Sequence, residues 1–384
     1  MRSILSQKVC ALNFVSKSVE LTTLFRMGCC GTLCRILGFA LIPLIASLVY
    51  FHLECLEEEK NRVKPQYNEK FDLQATDIKT EMFFNIKGQN IEVQLGLGFM
   101  CSQWMNCAVM KLLMFLTGAK DNYDQVKSSP KNVTVFDARK HKPGKFHETG
   151  FTLIELDHDS EVKDWRTNGG LNADEDAEID VKKFHKQFEP YLKKLYPKVK
   201  KIVWTHNVVR GGRRLLDQPV ALAPHLDYYQ GKQARIAFHQ KYPPLTKWMN
   251  RTTESDLLMG SHDTEDSKLG VLLGVWKPIF PFEVCDHPLA IMDARTFSKE
   301  DEQQNELHWN MGFFEFNNLN GAISHSAKQK WYYYSYQNTR EVLVFHQYSE
   351  GKYFANPHTA FFNKNCPKDT QARQSVEFRV GLYF

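Results

Sequence analysis

Apolar and polar positions change texture several times along the chain. Residues 36–53 read ILGFALIPLIASLVYFHL, an apolar run without formal charge, close to the shortest helix that spans a bilayer. Pro43 is tolerable inside such a helix. A second apolar run, Leu95 to Leu116, is interrupted by Gln103, Asn106 and Lys111. It reads as a buried or interfacial helix rather than a second span. Residues 173–196 set Ile179, Phe184, Phe188, Tyr191, Leu192 and Leu195 near helical spacing before Pro197, which predicts one amphipathic helix. Beyond it come short β-rich runs at 201–209, 268–276, 330–336, 342–348 and 376–384, parted by Pro, Gly and Asn turns. Helical stretches between them are scarce. The pattern predicts a mainly β fold with flanking helices, a jelly roll or β-sandwich, rather than a doubly wound sheet.

Charge orients the first run. Arg2, Lys8, Lys17, Arg26 and Arg35 precede it, whereas Glu54, Glu57, Glu58 and Glu59 follow. The positive-inside tendency then predicts a signal anchor and a single-pass type II membrane protein, its C-terminal part lumenal (endoplasmic reticulum or Golgi) or extracellular. A cleaved signal peptide is the alternative, but the positive leader is long and no small-residue cleavage site follows. The sequons at Asn132 and Asn250 agree with a lumenal glycoprotein, and Cys29 and Cys30 are candidates for juxtamembrane palmitoylation. The expected organisation is a cytosolic segment 1–35, a transmembrane anchor 36–53, a linker and poorly defined region 54–130, and a β domain 131–384.

The composition, 43% hydrophobic and 24% charged, is that of a globular protein with a sizeable core. The net charge of +5 is spread out, and without a long Lys/Arg block nothing points to a nucleic-acid partner. Of the nine cysteines, Cys101 and Cys107 are the candidate local bridge, although connectivity does not follow from sequence.

Chemistry concentrates in two places. In Pro224-His225-Leu226-Asp227 the imidazole and the carboxylate share one face of an extended segment. They make two-thirds of a 2-His-1-carboxylate triad, which leaves open positions on Fe(II). With fourteen histidines in the chain, an H-x-D alone is weak, and a surface His beside a turn Asp accounts for it equally well. The second place is C-terminal, where Asn356-Pro357-His358-Thr359-Ala360-Phe361 precedes Arg373-Gln374-Ser375-Val376-Glu377-Phe378-Arg379. His358 suits the third metal ligand, with His346 its competitor. Arg373, Ser375 and Arg379 share strand parity, a fork plus hydroxyl suited to a buried carboxylate such as the distal one of 2-oxoglutarate. Arginines facing water on an edge strand are the plain alternative.

These residues carry a resemblance. From about Val135 to Phe384 the chain resembles the family of the cephalosporin methoxylation protein CmcJ and the fungal hydroxylase/desaturase AsaB. The shared landmarks are Phe136-Asp137-Ala138-Arg139, His225-Leu226-Asp227, Val275-Trp276-Lys277-Pro278-Ile279, Pro288-Leu289-Ala290 with Asp293, Trp331-Tyr332-Tyr333, Glu341-Val342-Leu343, Pro357-His358-Thr359-Ala360-Phe361 and Arg373-Gln374-Ser375. The resemblance implies a double-stranded β-helix and an Fe(II)-dependent, 2-oxoglutarate-type dioxygenase that hydroxylates, desaturates or rearranges small molecules. The family pattern often has lysine at the position of His346, which favours His358 as ligand. The chain departs from it at Lys277, where arginine is common, and in its N-terminal anchor.

Two other readings compete. Asp157-His158-Asp159 is a D-x-D of the kind found in type II lumenal glycosyltransferases, although it lies in a charged, loop-like stretch. A non-catalytic β-helix binding module is the other. One tyrosine of the stretch Tyr332 to Tyr334 is a candidate donor to a co-substrate carboxylate. No further catalytic residue and no substrate, small-molecule or lipid-like, can be assigned from sequence.

Overall fold

Every β-rich run read after residue 200 forms a strand, and further strands arise where the pattern is quieter. The structure is a computed structural model that describes residues 76–87, 91–95, 128–160, 162, 165, 175–210, 220–229, 263–280, 282–310, 315–367 and 370–384. In chain order they form β1 (Ile78–Asn85), β2 (Ile91–Leu95), β3 (Ser128–Asp137), α1 (Ala138–His141), α2 (Phe146–Thr149), β4 (Phe151–Glu155), α3 (Glu175–Leu195) and β5 (Lys201–Arg210). There follow β6 (His225–Leu226), β7 (Leu269–Pro278), β8 (Leu289–Met292), β9 (Glu302–Asn310) and β10 (Glu315–Ile323). The last are β11 (Trp331–Tyr333), β12 (Glu341–Ser349), β13 (His358–Ala360) and β14 (Ser375–Tyr383). The expected anchor at 36–53, Cys101, Cys107, Asn250 and all of the 95–116 run beyond Leu95 lie outside the described residues. Among the described residues no helix is long and apolar enough to cross a membrane.

The strands make two sheets. One runs β1-β3-β11-β8-β13-β6-β10-β9-β2, the other β4-β12-β7-β14-β5. Strand β1, from the stretch that the sequence leaves undefined, pairs antiparallel with β3 from Ile78↔Val135 to Asn85↔Ser128. The architecture is mainly β with few helices, as a jelly roll requires.

Period-2 alternation assigns each face its work. Val376, Phe378, Val380 and Leu382 point outward from β14, with Val271, Leu273 and Val275 of β7 and Val342 and Val344 of β12, into one core cluster. Helix α3 closes that cluster with the stripe Val181, Phe184, Phe188 and Leu192, spaced as one helical face. Lys182, Lys183, Lys186, Lys193 and Lys194 remain exposed. The opposite faces of β7 and β12 supply Trp276, Leu343 and Phe345, which meet Leu289 and Ile291 of β8. The space between the two sheets is therefore walled by apolar side chains, and the polar residues that enter it are exceptions requiring partners.

Gly274 makes one close approach possible. A Cβ there would stand 2.3 Å from the Phe345 ring, and that ring packs against His358 at 4.8 Å between centroids. A disulfide joins Cys285 to Cys366 across a Cα separation of 5.6 Å, a pairing that the sequence does not single out.

Candidate metal centre and active site

Strand pairing brings the two histidines together. His225 of β6 and His358 of β13 are register partners, with ring centroids 4.5 Å apart. Leu226 turns into the apolar cluster on the far side of the sheet, so by alternation His225 and Asp227 enter the space between the sheets. The ligand atoms of His225, Asp227 and His358 all lie within 4.8 Å of one another. Among the described residues this is the group of His, Cys, Asp or Glu so assembled.

The hydrogen bonds set which atoms face inward. His225 Nδ1 donates to the Ala223 carbonyl at 2.8 Å, which leaves Nε2 with a lone pair. His358 Nδ1 contacts the Asn356 carbonyl at 3.4 Å, and its Nε2 is buried with no partner. Asp227 Oδ2 accepts from Gln347 Nε2 at 2.7 Å and from Arg379 Nε at 2.9 Å. Its Oδ1 stands 3.8 Å from His225 Nε2. Two imidazole lone pairs and a carboxylate oxygen thus converge, a donor set that fits a first-row divalent ion. The unpartnered His358 nitrogen is the atom that most needs one.

Electrostatics agree with that fit. Burial, joined by the neighbouring His225, pushes His358 down to about 3. Burial likewise lowers His225, so both imidazoles are neutral, the form in which imidazole binds a metal. Burial works to raise the Asp227 carboxyl, but the Arg379 guanidinium outweighs it and holds Asp227 well below the usual carboxylate range.

Several candidate residues lie away from the co-substrate end of the site. Arg379, read as a co-substrate residue beside Arg373, keeps the inner face of β14 that parity assigns it, but at 2.9 Å its Nε donates to Asp227 Oδ2. His346 faces the other way from Gln347, its neighbour. Its Nδ1 donates to the Gly150 carbonyl at 2.9 Å and its Nε2 accepts from Tyr196 Oη at 2.5 Å, while its ring stacks on Phe146. It is a satisfied core histidine, pushed down to about 4 by burial. The tyrosines of β11 also lie elsewhere: Tyr333 donates to the Thr76 carbonyl, Tyr332 tilts against Phe136 and Phe151, and Tyr334 packs by Arg139.

Arg373 and Ser375 do sit together at the start of β14. Arg373 is 4% exposed, lies over the Trp276 ring and donates from Nη1 to the His287 carbonyl at 2.7 Å. Its Nε and the Ser375 Oγ are buried without partners. Burial, joined by the charge of Arg210, depresses Arg373 to about 9. Ser375 pairs in register with Arg210. A buried fork and hydroxyl with capacity left over suit a carboxylate.

Sequence reasoning missed Gln347 and Glu377. Gln347 is fully buried on β12, and only its position opposite the ligand loop reveals its use. Glu377 is legible from its strand parity with Ser375. It is 4% exposed, and burial plus the adjacent Asp227 charge push its carboxyl up to about 8.

A family model described as "Oxidoreductase/YMDC permease-like domain" matches residues 110–383. The chain belongs to this family. The match takes in the whole cluster from His225 to Arg379. Among curated relatives of the chain, the "Aspirochlorine biosynthesis protein N" of Aspergillus oryzae is 31% identical over 116 residues, 29% of this chain and 48% of that protein. The "Fe(II)/2-oxoglutarate-dependent dioxygenase nvfI" of Aspergillus novofumigatus is 33% identical over 112 residues, 28% of this chain and 39% of that protein. The chain thus spans less than half the length of these relatives. The solved structure of the "iron and alpha-ketoglutarate-dependent endoperoxidase NvfI" superposes with a TM-score of 0.56 at 18% identity, covering 80% of this chain and 98% of the other. A different conformation of it superposes with the same TM-score at 19% identity and the same coverage. These likenesses place the fold among jelly-roll structures.

Proposed function

We propose that this domain is a non-haem Fe(II), 2-oxoglutarate-dependent oxygenase that hydroxylates or desaturates a small-molecule or lipid-like substrate. The carrying observation is the convergence of His225, Asp227 and His358, with the His358 nitrogen buried and unpartnered. The printed names of nvfI and its solved structure support the same chemistry. His225, Asp227 and His358 would hold the metal. Bound Fe(II) with 2-oxoglutarate would activate dioxygen against an unactivated C–H bond, the keto acid leaving as succinate and CO2.

The chain's own residues orient and enclose. Arg373 and Ser375 would receive the distal carboxylate, Gln347 and Arg379 hold Asp227 in its ligating orientation, and Phe345 and Trp276 keep water from the metal side of the pocket. A dication placed at the triad would reverse the penalty on the ionised form of Glu377. The glycosyltransferase reading is not favoured, since Asp159 is tied to the buried Lys277 at 3.1 Å. Anaerobic titration of the full-length protein with Fe(II) and then 2-oxoglutarate tests the proposal. A visible charge-transfer band is expected, and its absence together with no succinate release from any substrate would sink it. A non-catalytic module would bind the ligands without turnover.

Placement beyond a single membrane anchor at 36–53 belongs to the same proposal. It is supported by the Cys285–Cys366 bridge, which suits an oxidising compartment, and by the exposure of Asn132 on β3. Deglycosylation should shift the gel mobility of the expressed protein, and Asn132→Gln with Asn250→Gln should abolish the shift. An unglycosylated protein would count against this placement.

A further inference from the structure

On the inner face of β14, Ser375 stands by Arg373 and Arg379 is committed to Asp227. Glu377, between them, has no role in the site as described so far. Its Oε1 is 3.9 Å from His358 Nε2, and both atoms are buried without a hydrogen-bond partner. That separation matches the 3.8 Å between His225 Nε2 and Asp227 Oδ1. Two atoms bound to one first-row ion at about 2.1 Å each stand no more than about 4.2 Å apart. An acceptor oxygen sealed from water with no donor opposite is costly, and a cation shared with His358 removes that cost.

The geometry points to Glu377 as a fourth, displaceable metal ligand that holds the ion at rest and gives way when 2-oxoglutarate chelates it. This rests on the proposed metal centre. An octahedral ion with four protein donors keeps about two positions, which a bidentate keto acid fills, leaving none for dioxygen. Glu377 must therefore leave for the site to turn over. Arg210, the register partner of Ser375, lies close enough for its charge to act on the Glu377 carboxyl. Resting metal retention and co-substrate affinity then oppose each other through one side chain.

The test uses Mn(II) and 2-oxoglutarate with the full-length protein. Water-proton relaxation of the Mn(II)-loaded wild type should report about two exchangeable waters, and about three would overturn the inference. Glu377→Gln, checked for folding by circular dichroism, should weaken Mn(II) binding about tenfold or more while tightening 2-oxoglutarate several-fold. Unchanged metal affinity with weaker 2-oxoglutarate binding would instead make Glu377 a partner of the co-substrate and overturn the inference. If Glu377→Gln does not fold, the relaxation measurement on the wild type decides alone. Failure of the wild type to bind any divalent ion would remove the metal centre itself, a result distinct from the others.

Discussion

Gln347 grips Asp227 at two points: its Nε2 donates to Oδ2 at 2.7 Å, and its Oε1 accepts from the Asp227 backbone N–H at 3.4 Å. The contact crosses from β12 in one sheet to the loop after β6 in the other, so it sets the spacing of the ligand as well as its orientation. Replacing this amide with an apolar isostere leaves the carboxylate with Arg379 alone. Gln347→Leu should weaken Fe(II) binding by about 10- to 100-fold, the usual effect of losing an outer-shell partner. Calorimetric titration measures it, and an unchanged affinity would mean that Arg379 suffices.

Arg373 and Arg379 should separate cleanly. Removing one partner of a buried charge-assisted pair costs about 2 to 5 kcal/mol. Arg373→Gln is expected to raise the 2-oxoglutarate dissociation constant at least about tenfold and spare the metal. Arg379→Gln is expected to do the reverse, because its guanidinium lies on Asp227, the proposed metal ligand. Paired titrations of both variants check this, and identical profiles would refute the division of labour.

The Cys285–Cys366 bridge lies beside the Arg373 anchor. Two residues after Cys285, His287 adopts a left-handed φ of 44°, a conformation that costs energy unless its surroundings enforce it. Its carbonyl accepts from Arg373 Nη1, and Asn363 donates to the Cys285 carbonyl from the Cys366 side. Reduction, or Cys285→Ser with Cys366→Ser, should lower 2-oxoglutarate affinity several-fold more than Fe(II) affinity. Equal 2-oxoglutarate affinities for oxidised and reduced protein would show that the bridge is remote from the anchor.

His346 gives the fold an acid-side dependence. Its ring is neutral in the folded protein, pushed down to about 4 by burial, against an unfolded value near 6.5. The unfolded chain binds the extra proton between those values, so stability is full above about pH 6.5 and falls as pH drops toward 4. The loss from this residue is on the order of 3 kcal/mol. Urea unfolding of the wild type and of His346→Gln between pH 7 and 4 should show a shallower slope in the variant.

Local chemistry alone determined a good deal. The apolar stripe of α3 and the alternation of β12 and β14 are short-range periodicities, legible wherever one face must be buried. The H-x-D segment is legible for the same reason, since residues two apart on a strand share a face whatever the fold. His358 was readable as a third ligand and Arg373 as a co-substrate arginine by residue type and resemblance, but the strand pairing that brings them to His225 was not.

Tertiary structure decided who meets whom. His225 reaches His358 only through the pairing of β6 with β13. Gln347 rather than His346 enters the site because β12 is aimed by its register with β7. Arg379 shares the inner face with Ser375, as parity requires, but the packing of the two sheets sets it against Asp227. The Cys285–Cys366 bridge likewise joins two loops that are distant in sequence. Periodicity constrains a face but carries no information on strand order, register or bulges, which are settled only when both sheets pack and each buried polar atom finds a partner.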